Sequence, residues 1–221
     1  LKHANAAKHQ SIWHKQLRIN EREAALKSMK EKSARCTAEY MFKFMSKNCR
    51  AETGSKLIVN DHTKPLITAL CFFFSNDPRF ETELGYTFSK GLMIRGACGL
   101  GKTFLVKLLK DNELKPVHIE STRHINEVVS SEGEYFPPVG SLFYIDDVGL
   151  EATEVYHYKN QKTWFKSFIE NYYLKKLPFN KLILSTMFSG EELENKYGVH
   201  IRSRLRHMFN VVTVNGKDLR K

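Results

Sequence analysis

A chain of 221 residues can bury the core of one α/β domain with a small appendage, and its 42% hydrophobic and 27% charged content is ordinary for a globular protein. The longest largely apolar stretch, Ile67 to Phe74, is far too short to span a bilayer, so no membrane partner is expected and a cytoplasmic location is. The net charge of +11 is uneven: residues 1–50 hold 12 Lys and Arg against 4 Glu, and the remainder is nearly balanced.

From Ser11 to Lys47 there is neither Pro nor Gly, and apolar residues recur three or four apart (Ile12, Leu17, Ala24, Ala25, Met29, Tyr40, Phe44), which predicts helix. Residues 1–51 thus read as a basic helical region for binding a partner, nucleic acid or an acidic protein surface, or else as a solvated helical face. Asn48 to Asp61, with Gly54, reads as a connector in which Leu57–Val59 is a short strand. Asp61 or Thr63 is the expected cap of a helix through Ala69 to Phe74, with Pro65 in its first turn. Asn76–Pro78 then opens a surface loop.

Gly91–Leu92–Met93–Ile94 is a short buried-strand pattern, and Phe104 to Leu109 reads as the start of an apolar helix. Between them Gly96–Ala97–Cys98–Gly99–Leu100–Gly101–Lys102–Thr103 matches G-x-x-x-x-G-K-[ST], the phosphate-binding loop. Strand, glycine loop and helix is the context this motif requires. Gly96, Gly99 and Gly101 let backbone N–H groups turn toward phosphate oxygens. Lys102 is expected to reach the β- and γ-phosphates, and the Thr103 hydroxyl to hold Mg²⁺; the expected cofactor-binding residues are Gly96 to Thr103 and Phe104. The expected cofactors are ATP and Mg²⁺. None of the four cysteines (Cys36, Cys49, Cys71, Cys98) has metal-ligand spacing, and reduced thiols are expected. Cys98 is either a small residue tolerated in the loop or a thiol whose oxidation blocks it.

Alternation continues downstream: strand Val117–Ile119, helix Thr122–Val129, turn Pro137–Gly140, strand Leu142–Ile145, helix Thr163–Leu177 stopped by Pro178, strand Leu182–Leu184, helices Glu191–Tyr197 and Ile201–Met208, strand Val211–Val214. Repeated β–α units imply an α/β fold with a mostly parallel sheet and helices on both faces, occupying residues 52–221. Leu142 to Ile145 ends in Asp146 and Asp147. A strand finishing at the phosphate side of the sheet delivers its terminal acid, Asp146, to the Mg²⁺ shell, and places Asp147 as a general base for the attacking water.

The ordered set Gly91–Thr103, Phe143 to Gly149, Ile183 to Gly198, Ile201 to Leu205 and Gly216 to Arg220 resembles the DnaC/IstB-like AAA+ ATPases over about residues 57–221. The resemblance implies an AAA+ type P-loop domain in which Lys102, Thr103, Asp146 and Asp147 hold nucleotide, metal and water. It implies that Arg204 is an arginine finger inserted into a neighbouring subunit's site, so that hydrolysis depends on self-assembly; the alternative is a surface arginine. Arg202 and Arg206 match that position less well, and Arg220 either approaches nucleotide or is solvated. Two positions depart from the family. Met187 stands where an Asn usually polarises the water or γ-phosphate, so either Thr186 substitutes or turnover is slow; a thioether donates no hydrogen bond. His200 stands where an Arg usually precedes the finger.

The leading functional expectation is an ATP-hydrolysing helicase loader in DNA replication. It would bind a replicative helicase through its N-terminal arm and single-stranded DNA through its ATPase domain, with Thr122 and Arg123 as candidate contacts. A transposition helper binding duplex DNA and a transposase, a non-hydrolysing ATP-gated binding module and a small-molecule kinase remain alternatives.

Overall fold

The structure, a computed structural model, describes residues 21, 23–133, 135, 137, 141–151, 155–157, 160–162, 164–216 and 218. Ile12, Leu17, Thr163, Arg220 and the Gly140 end of the expected 137–140 turn lie outside them.

The first expected helix is two helices. Helix α1 covers residues 23–35 and is exposed along nearly its whole length. The chain breaks at Cys36–Thr37 and restarts as α2 (Ala38–Thr53), because Thr37 is extended (φ −70°, ψ 169°) and its hydroxyl accepts from the Tyr40 N–H at 3.2 Å. Helix α2 runs past Lys47 until Gly54 closes it at φ 70°, a left-handed turn that glycine adopts without strain. Met41, Met45 and Cys49 of α2 join the core that holds Leu105 and Val106 of the helix after the phosphate loop. The basic N-terminal region therefore divides in packing: α2 lies against the α/β core, while α1 stands out in solvent.

Leu57–Val59 form no strand. Helix α3 (Lys64–Ser75) follows; Thr63 holds its cap position, but the hydroxyl donates to Ile58 O at 2.8 Å rather than capping, and Asn60 Oδ1 accepts from Thr63 N at 3.0 Å. The one-turn helix α4 (Arg79–Thr82) interrupts the expected loop and buries Phe80 between Phe73 and Phe88, at ring distances of 5.5 and 4.8 Å.

Five strands form one parallel sheet: β1 (Gly91–Arg95), β2 (Val117–Ser121), β3 (Leu142–Asp146), β6 (Leu182–Thr186) and β7 (Phe209–Thr213), in the order β2-β3-β6-β1-β7. Strand alternation sends Leu92, Ile94, Leu142 and Tyr144 to one face, with α2, α3 and α5 (Lys102–Lys107). Met93, Phe143 and Ile145 go to the other face, with α6 (Thr122–Glu132), α7 (Trp164–Leu174), α8 (Gly190–Tyr197) and α9 (Val199–Met208). Both faces are covered, which is why the strands read as continuous apolar runs rather than alternating ones. The α/β fold with a parallel sheet and helices on both faces is as expected.

A two-stranded antiparallel hairpin, β4 (Val155–His157) with β5 (Asn160–Lys162), was not predicted; three-residue strands are too short to show a period. Helix α7 stops at Leu174 rather than Leu177, with Lys176 left-handed at φ 51° before Pro178.

Candidate phosphate-binding site

Strand β6 lies between β1 and β3, so the loops leaving β1 and β3 open side by side at one edge of the sheet. The phosphate loop leaves β1 there. Gly99 and Gly101 take left-handed φ of 78° and 75°, and the Leu100 side chain is buried in the core and anchors the loop from below. Gly96 continues the strand, its N–H donating to Thr186 O at 3.1 Å, while Ala97 and Cys98 face solvent. Lys102, 6% exposed, donates from Nζ to the carbonyls of Gly96 and Ala97 at 2.7 and 2.8 Å. Its ammonium is thus held inside the loop's own curve. Phe104 is half-buried and packs against the core beneath the loop.

From β3, Asp146 meets the Thr103 hydroxyl, which lies 2.8 Å from both carboxylate oxygens. A hydroxyl and a carboxylate side by side are hard oxygen donors that fit Mg²⁺, which takes few protein ligands and completes its shell with water and phosphate. Among the described residues no group of three or more His, Cys, Asp and Glu is placed to hold a metal. Thr103 and Asp146 are the pair here that could hold such a cation.

Two further donors converge on Asp146 that the sequence reading did not assign. Tyr144 donates to Oδ1 at 2.7 Å, and Ser185 donates to the same oxygen at 2.5 Å. Burial and the adjacent Asp146 charge push the Tyr144 phenol well above its ordinary range, so it stays a neutral donor. Ser185 is fully buried and also accepts from the Asp147 N–H at 3.0 Å. Asp147 sits at φ 57°, a left-handed backbone that a non-glycine residue adopts at some cost. Ser185 holds that turn, and Thr122 holds its far side by donating to Asp147 O at 3.1 Å. The signal for Ser185 was present, a small hydroxyl near the end of a buried strand, but only the strand order shows what it faces.

Thr186 takes a different part from the expected one. It is 1% exposed, its hydroxyl hydrogen goes to Val148 O at 2.6 Å, and its oxygen accepts from Phe188 N at 3.1 Å. With its one donor spent on backbone, Thr186 has none for a water. The half-exposed Met187 lies across the loop instead, its sulfur 3.8 Å from the Cys98 thiol. Thr122 is likewise corrected as a DNA contact, being 2% exposed, whereas Arg123 is open and pairs with Glu127 at 3.2 Å.

Below the site, Glu151 is buried and accepts from Gly149 N at 2.8 Å and from the Tyr197 hydroxyl. Burial raises its carboxyl pKa, and the Gly149 amide and the Lys196 charge work against that rise. This network ties the loop after β3 to α8.

The expected finger, Arg204 on α9, lies 3.2 Å from Glu170 on α7 and 5.5 Å from the centre of the Tyr173 ring. Arg202 pairs with Glu194, and Arg206 is exposed. The structure thus groups the phosphate loop, Asp146 and Asp147, and sets Arg204 apart on a helix–helix contact. A cavity of about 830 Å³ adjoins the loop, walled by Thr53, Leu57, Ile58, Thr63, Phe104 and Asp147.

Sheet order, loop and the Thr103–Asp146 pair place the chain in the P-loop class of α/β folds. No family model and no curated protein matches the chain. Among solved structures, it is similar to AMPPCP-bound DnaA from Aquifex aeolicus, with 17% identity and a TM-score of 0.46, over 72% of this chain and 48% of that one. The chain thus spans about half the length of that structure, a likeness too loose to bear on activity. No helix among the described residues is long and apolar enough to cross a membrane.

Proposed function

We propose that this chain is an AAA+ ATPase of the helicase-loader type that binds ATP with Mg²⁺ and hydrolyses it when copies assemble on single-stranded DNA with a replicative helicase. The observation that carries the nucleotide reading is Thr103 meeting Asp146 beside Lys102. Residues from the ends of β1 and β3 converge where a triphosphate and its cation would lie. In this reading the turned amides of the loop and Lys102 bind the phosphates, with Lys102 leaving the carbonyls of Gly96 and Ala97 to do so. Thr103 and Asp146 hold Mg²⁺, which would offset charge developing on the phosphates. Asp147, on the turn that Ser185 braces, accepts a proton from the attacking water.

The partner reading rests on α1, an exposed basic helix whose Leu26 and Met29 are 51% and 62% exposed. A helix this short is marginal alone in water, so a partner covering it would stabilise it. Arg204 serves a neighbouring copy only after leaving Glu170, which makes assembly and hydrolysis a coupled event.

Met187 and Thr186 favour a second reading, an ATP-gated binding module with little turnover. At the end of β6 neither residue offers the water or γ-phosphate a donor. Steady-state ATP hydrolysis across protein concentration decides between the readings, measured without DNA, with single strands and with duplex, and with Arg204→Ala as control. Stimulation by single strands that rises faster than linearly with protein and is lost in Arg204→Ala is the expected result. Stimulation mainly by duplex points to a transposition helper, and ATP binding with flat background turnover to the switch.

A further inference from the structure

The segment after β7 crosses the phosphate loop. Val214 N donates to Arg95 O at 2.7 Å, and the Val214 carbonyl lies so close to Gly96 that a Cβ there would strike it. Gly216 packs on the His62 ring, which a Cβ at residue 216 would approach to 3.1 Å. Two residues further, the Asp218 carboxylate rests directly on Gly99, in the space a side chain at position 99 would occupy. Three contacts in order, at Gly96, His62 and Gly99, thus lay Val214, Gly216 and Asp218 along the loop.

We propose that the segment after β7 is an intramolecular competitor for the phosphate loop, with the Asp218 carboxylate as its anionic head. The proposal rests on the nucleotide reading given above and adds a regulatory contact to it. The loop has the backbone of an anion site: the left-handed φ of Gly99 and Gly101 is the conformation that gathers amides around an anion, and the Lys102 ammonium is held at the loop by the carbonyls of Gly96 and Ala97. The group such a site draws from its own chain is a carboxylate. A triphosphate entering the loop meets that like charge beside Gly99 and displaces it, so phosphate binding and release of Asp218 are one exchange. By linkage, a partner that holds the released Asp218 segment raises nucleotide affinity by the factor by which nucleotide raises its own. The contact thereby gives a bound partner a route to the nucleotide site without touching the nucleotide.

The test is calorimetric titration of the full chain with ADP, comparing wild type, Asp218→Asn and Asp218→Glu. Asparagine keeps the shape and removes the charge, and is expected to tighten ADP binding by about threefold to tenfold, the effect shrinking with added salt. Asp218→Glu is expected to bind within about twofold of wild type, its charge being kept. Unchanged or weaker binding by Asp218→Asn overturns the proposal, weaker binding because it would make Asp218 a nucleotide contact. A second readout does not depend on nucleotide. Cys98 is the exposed thiol beside Gly99, while Cys36, Cys49 and Cys71 are buried. A dianionic aromatic disulfide should therefore modify Cys98 severalfold faster in Asp218→Asn than in wild type, and equal rates overturn the contact. If ADP binds none of the three proteins, the nucleotide reading of the site falls, and the thiol rates still decide whether Asp218 guards the loop.

Discussion

Replacing Ser185 by Ala removes one oxygen atom from a fully buried position, where it donates to Asp146 and accepts from the Asp147 N–H. Asp146 keeps its bonds from Thr103 and Tyr144, so the carboxylate loses one of three donors. The Asp147 N–H loses its acceptor at a left-handed turn, and a buried unsatisfied amide costs about 1–3 kcal/mol. The lost charge-assisted bond to Asp146 adds to this, giving an expected destabilisation of about 2–3 kcal/mol. For a chain of this length that lowers Tm by about 4–12 °C. The catalytic signature is sharper. On the proposed ATPase reading, the phosphate loop leaves β1 and does not rest on Ser185, so the KM for ATP should stay within about threefold while kcat falls about tenfold through the misdirected turn of Asp147, the proposed base. Tyr144→Phe is the companion variant: it removes a donor to Asp146 and leaves Asp147 braced, so its kcat loss should be smaller. Thermal unfolding with steady-state ATPase kinetics checks all of this. Wild-type Tm and kcat in Ser185→Ala would refute the bracing argument, and equal kcat losses in the two variants would place the effect in Asp146 alone.

Three other perturbations probe separate parts of the structure. Lys115 packs under the rings of Phe73 and Phe88, and burial together with the Lys181 charge pushes its ammonium down to about 7. Unfolded, it returns to about 10.4, so between these values the unfolded chain binds more protons and this group's contribution to stability rises with pH. The Tm of wild type relative to Lys115→Met should therefore climb from pH 7 to pH 9, and a constant difference would contradict the burial argument. Thr37→Ala should cost about 1 kcal/mol in a single cooperative transition, because the cap it removes starts a helix packed into the α/β core. A separate low-temperature transition in calorimetry would instead make α2 an independent unit. Glu170→Gln weakens the pair that holds Arg204, and should raise turnover at high protein concentration while Arg204→Ala lowers it. Turnover unchanged in both variants removes Arg204 from the reaction.

How far the sequence reached depended on whether a feature is local. The phosphate-loop pattern, the strand ending in Asp146 and the presence of a helix after the loop were legible because glycine placement, apolar runs and chain order are encoded within a few residues of each other, although that helix starts at Lys102 rather than Phe104. The break at Thr37 was less legible, since a single threonine marks a cap only once the chain on either side commits to helix. Whether Thr186 could stand in for the missing Asn is open in the sequence because a hydroxyl's use depends on its neighbours, and Val148 O reaches it from another strand's loop.

What the sequence by itself determined is local: a loop of the phosphate-binding pattern and an apolar strand that ends in a carboxylate, on an α/β framework. The tertiary structure decided which residues surround them. Parallel crossovers insert β6 between β1 and β3, so Ser185 reaches Asp146 from 39 positions away, and the strand order sends the segment after β7 back over the loop. Residues distant in the chain become neighbours only through strand order, and strand order is set by how two faces of a sheet bury their apolar side chains together, a property of no single segment.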